Sequence, residues 1–465
     1  MKNVLVISGD TIDKHMGGLG VRNWELAHAL SRYCQVTLAI PNQTSLLSDT
    51  VHLISYDLID GDLASIVQEV DVIVLHGSIL HFHPYLRTLD IPIAVDLYVP
   101  NLLESLVWHE NDPIENWAPS YEEYLRLQLE LLRAGDFFFC ASERQRDYWI
   151  GWLHAQKRIN PHTYHQDPAL RKLIDIVPFG LPECAPNPTK SVLKGVYPGI
   201  DSNDRVILWS GGIWDWLDPL TLIRALADIP PRYPQIKLYF MGTHHPNPLV
   251  NGMEMPQTAI NLSRELGLFG KSVFFGDWVP YDERQNYLVE ADLGVITHPG
   301  HIETHFSFRT RVLDYIWAGI PFIITEGDAW ADLAKKENIG YTVAPGDVKG
   351  LAVAIENLIT ENAKVKYADS FDKLRQSHRW DKVILPLAKY CSDPYLSPDK
   401  TQYLTEAERI GRDKDTFLQQ VIQDKDAYLE QVIQEREALR NSLMRYHRLL
   451  PIRAYHWIKQ KIGIR

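Results

Sequence analysis

Residues 293–325 read LGVITHPGHIETHFSFRTRVLDYIWAGIPFIIT, and this stretch decides the fold. Its ends, LGVIT from Leu293 and IPFIIT from Ile320, are unbroken apolar runs of strand length. Strands covered on both faces read this way, whereas half-exposed strands alternate. Between them Thr310 to Trp317 has helical character, and Gly319 supplies its stop. A strand, a helix and another buried strand imply a parallel α/β layout.

The same rhythm extends in both directions. Towards the N-terminus it gives VILWSGG from Val206, KLYFMG from Lys237 and SVFFGD from Ser272, with a helix from Pro219 to Leu226. Earlier still come VLVI from Val4, VTLAI from Val36, VIVLHG from Val72, IPIAVDLY from Ile91 and FFFCAS from Phe137. Leu181 to Asp201 breaks the pattern with four prolines and two glycines. The expected fold class is therefore α/β, with two Rossmann-like doubly wound domains facing a cleft, plus a C-terminal helical extension. The expected boundaries are 1–185 with a returning helix at 381–397, a linker at 186–200, a second domain at 201–380 and the extension at 398–465.

Composition narrows the functional classes. A net charge of -12 argues against a nucleic-acid binder, which needs a basic face for phosphates. Four scattered cysteines without a CxxC spacing suggest neither a disulfide framework nor a zinc site, so a reducing, cytoplasmic setting is expected. The N-terminal run stops at Ile7, too short for a signal-peptide core, and no stretch approaches a membrane span.

The last part of the chain differs in character. Three units with an 11-residue period begin at Arg409, Gln420 and Gln431, and their apolar positions form one stripe. A homo-oligomer through 405–445 is one reading; packing against the chain's own domain is the other. After Glu437 no acidic residue occurs, while Arg440, Arg445, Arg448, Arg453, Lys459, Lys461 and Arg465 accumulate. With Ile452, Tyr455, Ile458 and Ile462 on one face, 440–465 reads as an amphipathic segment for an anionic membrane surface, or as a solvated terminal helix.

Three segments carry candidate chemistry. Gly17 and Gly18 lie in HMGGLGVRNWELAHAL, between the first strand and a helix whose N-terminus presents free N–H groups to an anion. Gly211 and Gly212 end the WSGG strand before WDWLDP, where Asp218 caps and Pro219 opens a helix, and Trp214 lies between. Ligands of open α/β sheets bind at the carboxyl ends of strands, which makes both turns candidate floors for a diphosphate. Asp277 and Trp278, at the end of the Ser272 strand, join these candidates. Densest is Glu303 to Asp314. Arg309 and Arg311 can stabilise a diphosphate leaving group, Glu303 and Asp314 can hold hydroxyls, and Ser307, Phe308 and Thr310 complete the candidate set.

From Met1 to about Tyr390 the chain resembles the family-4 glycosyltransferases of GT-B fold. The resemblance rests on the GG loop after the first strand, VPFGLPE from Val177, the WSGG strand, the DYIWAGIPFIIT run, and then TEGDAWADL and GYTVAPGD. It implies an enzyme that moves a sugar from a nucleotide diphosphate donor to a glycan, lipid-linked or other cell-envelope acceptor, with retention of configuration. The donor would occupy the second domain and the acceptor the first. Three departures stand out. The family's two glutamates eight positions apart would fall at Phe306 and Asp314, so that Glu303 substitutes for the first. The usual arginine and lysine after the second glycine loop are absent, which leaves that charge to Arg309 and Arg311. Asp96 stands where many relatives carry a histidine, and His76 is a second acceptor-side candidate. No cofactor or metal is expected, because protein cations and helix N-termini can neutralise the diphosphate; the nucleotide sugar is a co-substrate. The rival expectations are an epimerase or phosphorylase on the same fold, and a non-catalytic sugar-nucleotide-binding scaffold.

Overall fold

The computed structural model describes residues 1–465 except 60, 62, 65, 230–232, 245–252, 361–362, 401–424, 426–430, 442–453, 455 and 462–465. Two all-parallel sheets form the frame. The first contains β1 (Asn3–Ile7), β2 (Gln35–Ile40), β3 (Val51–Ser55), β4 (Val72–Leu75), β5 (Ile93–Asp96), β6 (Phe137–Cys140) and β7 (Ile174–Ile176), in the order β3-β2-β1-β4-β5-β6-β7. The second contains β8 (Arg205–Gly212), β9 (Ile236–Gly242), β10 (Val273–Phe275), β11 (Leu293–Ile296), β12 (Phe322–Thr325) and β13 (Gly340–Val343), in the order β10-β9-β8-β11-β12-β13. The expected two-lobed GT-B architecture is borne out, and the apolar runs are largely buried strands, central in their sheets except β10, which forms an edge. Beyond the runs singled out in the sequence, the sheets gain the edge strands β3, β7 and β13. These are short or half-buried, so their apolar signal is weaker.

Both sheets reverse their strand order beside the first strand of the lobe. β1 pairs with β2 on one side and β4 on the other, and β8 pairs likewise with β9 and β11. This is the switch point at which open α/β sheets bind ligands. The glycine turns after β1 and β8 therefore occupy equivalent positions in the two lobes.

Local chemistry sets the helices that follow. Asp218 Oδ1 accepts from Thr221 N at 2.9 Å, and Pro219 opens the helix Pro219–Asp228. Helix Thr310–Ala318 ends at Gly319 with φ of 65°, the left-handed conformation that glycine adopts without strain. Tyr315 of that helix crosses the sheet where a Cβ on Gly294 would sit 2.6 Å from its ring. Its hydroxyl donates to Leu208 O at 2.9 Å and accepts from Ser210 N at 3.2 Å, which ties the helix to β8. The chain then returns to the first lobe: Leu181 exchanges backbone bonds with His378 and Trp380, and Tyr390 stacks on Phe137 at 4.7 Å.

Residues 400–465 are a separate unit. Its described residues are helical at 431–441 and 456–461, with Val432, Ile433, Leu439, Trp457 and Ile458 exposed. The repeat units from Arg409 and Gln420, and most of the basic tail, lie outside the described residues. Among the described residues no helix is long and apolar enough to cross a membrane.

Candidate active site

A cleft opens between the two switch points. From the first lobe Gly17 and Gly18 line it, at the start of helix Gly18–Leu30. No side chain caps that helix and its first turn has no acidic residue, so its N–H groups keep their capacity for an anion. A Cβ on Gly18 would meet no protein atom within 4 Å, whereas one on Gly20 would lie 2.4 Å from Thr11 O. Gly20 is thus a packing glycine, and Gly18 borders open cleft.

From the second lobe come Ser210, Gly211, Gly212 and Trp214, the loop after β10 with Trp278, and the helix start with Thr310, Arg311 and Asp314. Gly211 has φ of 78°, and its missing Cβ also faces open space. Arg311 is 9% exposed; its Nη2 donates to Gly212 O at 2.9 Å and its guanidinium lies 4.9 Å from the Trp209 ring centroid. Its Nη1 is buried without a hydrogen-bond partner, as is Ser210 Oγ. Burial pushes the Arg311 pKa down to about 10, leaving it charged at neutral pH.

Arg284, which no sequence motif had singled out, completes the cationic wall. It approaches Asp314 at 3.4 Å, donates to Tyr281 O at 2.6 Å, and packs against the rings of Tyr281 and Trp317. Burial raises the Asp314 pKa, and Arg284 opposes that rise. The signal for Arg284 was positional: it follows the carboxyl end of β10, where Trp278 had already been placed.

The remaining candidates occupy other places. Arg309 points away from the cleft lining and donates to Glu303 Oε2 at 2.6 Å; the two side chains are 8% and 0% exposed. Around this pair Glu303 Oε1, Arg309 Nε, His298 Nε2, His301 Nε2 and Asp328 Oδ2 are all buried without a hydrogen bond. Burial pushes His298 down to about 3 and Asp328 up to about 6. Glu104, from the first-lobe helix Asn101–Trp108, is pushed up to about 8 by desolvation and the nearby Glu303 charge. Ser307 Oγ donates to Thr304 O, and Phe308 O accepts from the first-lobe Tyr98 hydroxyl at 2.8 Å. Asp277 is exposed beside the cleft.

Asp96 is held by Arg22, with Nε to Oδ2 at 2.5 Å and Nη2 to Oδ1 at 3.1 Å, inside the first lobe. His76 is half-buried, with Nε2 at 3.3 Å from Gly9 N and 2.9 Å from Asn23 Nδ2, and desolvation lowers its pKa. The structure thus gathers Gly17, Gly18, Gly211, Gly212, Trp214, Trp278, Thr310, Arg311 and Asp314 around one space. Glu303 and Arg309 form a second buried group, and Asp96 and His76 lie behind the first-lobe turn.

The lobes are bonded across the cleft. Trp278 Nε1 donates to Met16 O at 3.2 Å, Tyr281 OH to Glu25 Oε1 at 2.8 Å, and Gln145 Nε2 to Phe306 O at 2.8 Å. This arrangement sets the uncapped N-terminus of helix Gly18–Leu30 across the cleft from a buried cation with an unpartnered nitrogen. Among the described residues no group of three or more His, Cys, Asp or Glu side chains is placed to hold a metal ion.

Comparison with known proteins agrees with this geometry. Residues 204–361 match the family described as Glycosyl transferases group 1. No curated protein matches the chain by sequence. Sucrose-phosphate synthase from Thermosynechococcus elongatus shares the fold with a TM-score of 0.63 at 16% identity, covering 84% of this chain and 98% of that one. HepE of Anabaena in complex with UDP-glucose gives 0.58 at 14% identity, covering 84% and 99%. A trehalose-6-phosphate enzyme from E. coli bound with UDP-2-fluoro glucose gives 0.59 at 13%, covering 85% and 100%. The expected resemblance to GT-B glycosyltransferases is borne out, and with it the enzyme class, a glycosyltransferase.

Proposed function

We propose that the chain transfers a sugar from a nucleoside diphosphate donor, held mainly by the second lobe, to a saccharide or lipid-linked acceptor on the first. Arg311 carries this reading. A buried guanidinium with one unpartnered nitrogen and no carboxylate in direct contact is costly unless an anion completes it. The open cleft at that nitrogen is walled by two glycine turns and a helix N-terminus.

In this reading the diphosphate lies between Gly17–Gly18 and Gly211–Gly212. Arg311 Nη1, Ser210 Oγ and the N–H groups of helix Gly18–Leu30 bind it. As the glycosidic bond to the donor breaks, negative charge grows on the departing diphosphate, and these fixed donors stabilise it without reorganising. Asp314, held by Arg284, accepts hydrogen bonds from ribose hydroxyls. The sugar extends toward Glu303 and Arg309, whose unpartnered atoms match hydroxyl donors and acceptors. Closure of the lobes excludes water, so that transfer to an acceptor hydroxyl outcompetes hydrolysis. Charge neutralisation by protein groups makes a metal unnecessary in this scheme. Retention of configuration follows from the resemblance.

Because two of the structural neighbours carry UDP-sugars, UDP-glucose is the first donor to assay. The test is release of the nucleoside diphosphate by purified protein over a donor and acceptor panel, with product analysis. Acceptor-dependent release that falls in Arg311→Ala supports the reading. Donor conversion without an acceptor would favour an epimerase, and binding without turnover a scaffold. Membrane attachment through 440–465 belongs to the same proposal; unchanged co-sedimentation with anionic liposomes after removal of that segment would refute it.

A further inference from the structure

Six aromatic rings connect the cleft to the outer face of the first lobe. Trp214, in the cleft wall, stacks on Trp216 with centroids 5.0 Å apart and planes 11° apart. Trp216 lies 6.3 Å from Trp108 of the other lobe. Trp108 stacks on His109 at 5.6 Å, His109 on Trp117 at 5.7 Å, and Trp117 meets Tyr121 edge to face at 5.6 Å. These rings are not core: Trp108 is 40% exposed and the other five are half-buried. Folding alone favours burying such surface, so a row of partly open rings running out of a site calls for an occupant.

The row is joined to the buried Glu303 group as well as to the cleft. The His301 ring lies beside the Trp216 backbone, and the Glu110 charge acts on it. Glu110, Glu115 and Glu122 belong to the same segment as Trp108, Trp117 and Tyr121, are exposed and make no ion pair among the described residues, while 104–130 contains a single Lys or Arg, Arg126. An anionic membrane, an acidic glycan or a nucleic acid would be repelled by this rim. An uncharged saccharide fits both parts of it. The C–H faces of its rings lie against the exposed edges and faces of the tryptophans, and its hydroxyls donate to the carboxylates.

We propose that Trp108, Trp117, Tyr121 and Trp216 form a binding track for an uncharged oligosaccharide, the acceptor whose reacting end enters the cleft past Trp214. This rests on the glycosyl-transfer reading and specifies its acceptor as a chain of several neutral sugars. Because Trp108 and Trp216 belong to different lobes, a bound chain also bridges the closed state.

The test is binding of the full chain, with UDP present, to an array of immobilised neutral gluco- and galacto-oligosaccharides, uronic-acid oligosaccharides and phosphatidylglycerol vesicles. The expected result is binding to a neutral oligosaccharide of three or more sugars, weakened about tenfold by Trp117→Ala and by Tyr121→Ala. Both positions are remote from the diphosphate cradle, so UDP affinity should stay within about twofold, which also reports that the variants are folded. Absence of neutral-glycan binding by the wild type, equal binding by folded variants, or a Trp117-dependent preference for acidic glycans or vesicles would overturn the proposal. Neutral-glycan binding that depends on Trp117 but is accompanied by no UDP binding would leave the track standing and remove the nucleotide reading alone.

Discussion

Replacing Arg311 with methionine should move ligand binding and stability in opposite directions. The guanidinium is buried, and the fall of its pKa from 12.5 to about 10 corresponds to a desolvation cost of about 3 kcal/mol in the empty protein. Methionine removes that cost and retains much of the packing against Trp209. Against this stand the bond to Gly212 O, worth about 1 kcal/mol, and the contact with the Trp209 ring, worth a further ~1 kcal/mol. The net expectation is an empty protein more stable by about 1 kcal/mol, a rise in Tm of roughly 1–2 °C for a chain of this size. Binding of UDP loses a charge-assisted bond worth about 1.5–3 kcal/mol, a drop in affinity of roughly 10–150-fold. Thermal melts of the empty protein and calorimetric titration with UDP measure the two effects separately. A variant that binds UDP like the wild type would refute the assigned role. One that is both destabilised by several kcal/mol and unable to bind would show that Arg311 is a structural cation.

Other expectations follow from single contacts. Asp328→Asn keeps the cap on Ala331 N but removes a buried carboxyl whose pKa is raised to about 6, so the wild type loses stability relative to the variant as pH rises from about 4 through 6. The difference should reach about 3 kcal/mol at most, and parallel pH–stability curves would contradict it. Gly18→Ala should leave Tm unchanged or slightly higher and weaken UDP binding, whereas Gly20→Ala, with its Cβ 2.4 Å from Thr11 O, should cost about 1–3 kcal/mol in denaturant melts. Glu303→Gln leaves Arg309 as a buried cation without its counter-charge, and should cost about 3–5 kcal/mol; a combined Glu303→Gln, Arg309→Met variant should recover part of that loss in the same assay.

Much of the fold was legible because central parallel strands bury both faces: the runs at Val206, Leu293 and Ile320 became β8, β11 and β12 with little change of boundary. Gly319 and Asp218 were equally readable, since a left-handed C-terminus and an N-cap are local requirements. Glycine turns at the carboxyl ends of β1 and β8 located the cleft for the same reason. Side-chain direction was not readable. Arg309 and Arg311 are two positions apart, which on a helix start sends them to different faces, one toward Glu303 and the other toward Gly212. Arg284 meets Asp314 only through tertiary packing of Arg284–Glu290 against Thr310–Ala318, so no spacing in the chain announced it. Asp96 likewise finds Arg22 across 74 residues of sequence.

The central claim is that the cleft beside Arg311 receives a nucleoside diphosphate, and calorimetric titration of the full chain with UDP, GDP and ADP tests it most directly. The account predicts saturable binding of at least one of the three, tighter than about 1 mM and weakened at least tenfold in Arg311→Met. Failure of all three to bind the folded wild-type protein, or binding indifferent to Arg311, would contradict it.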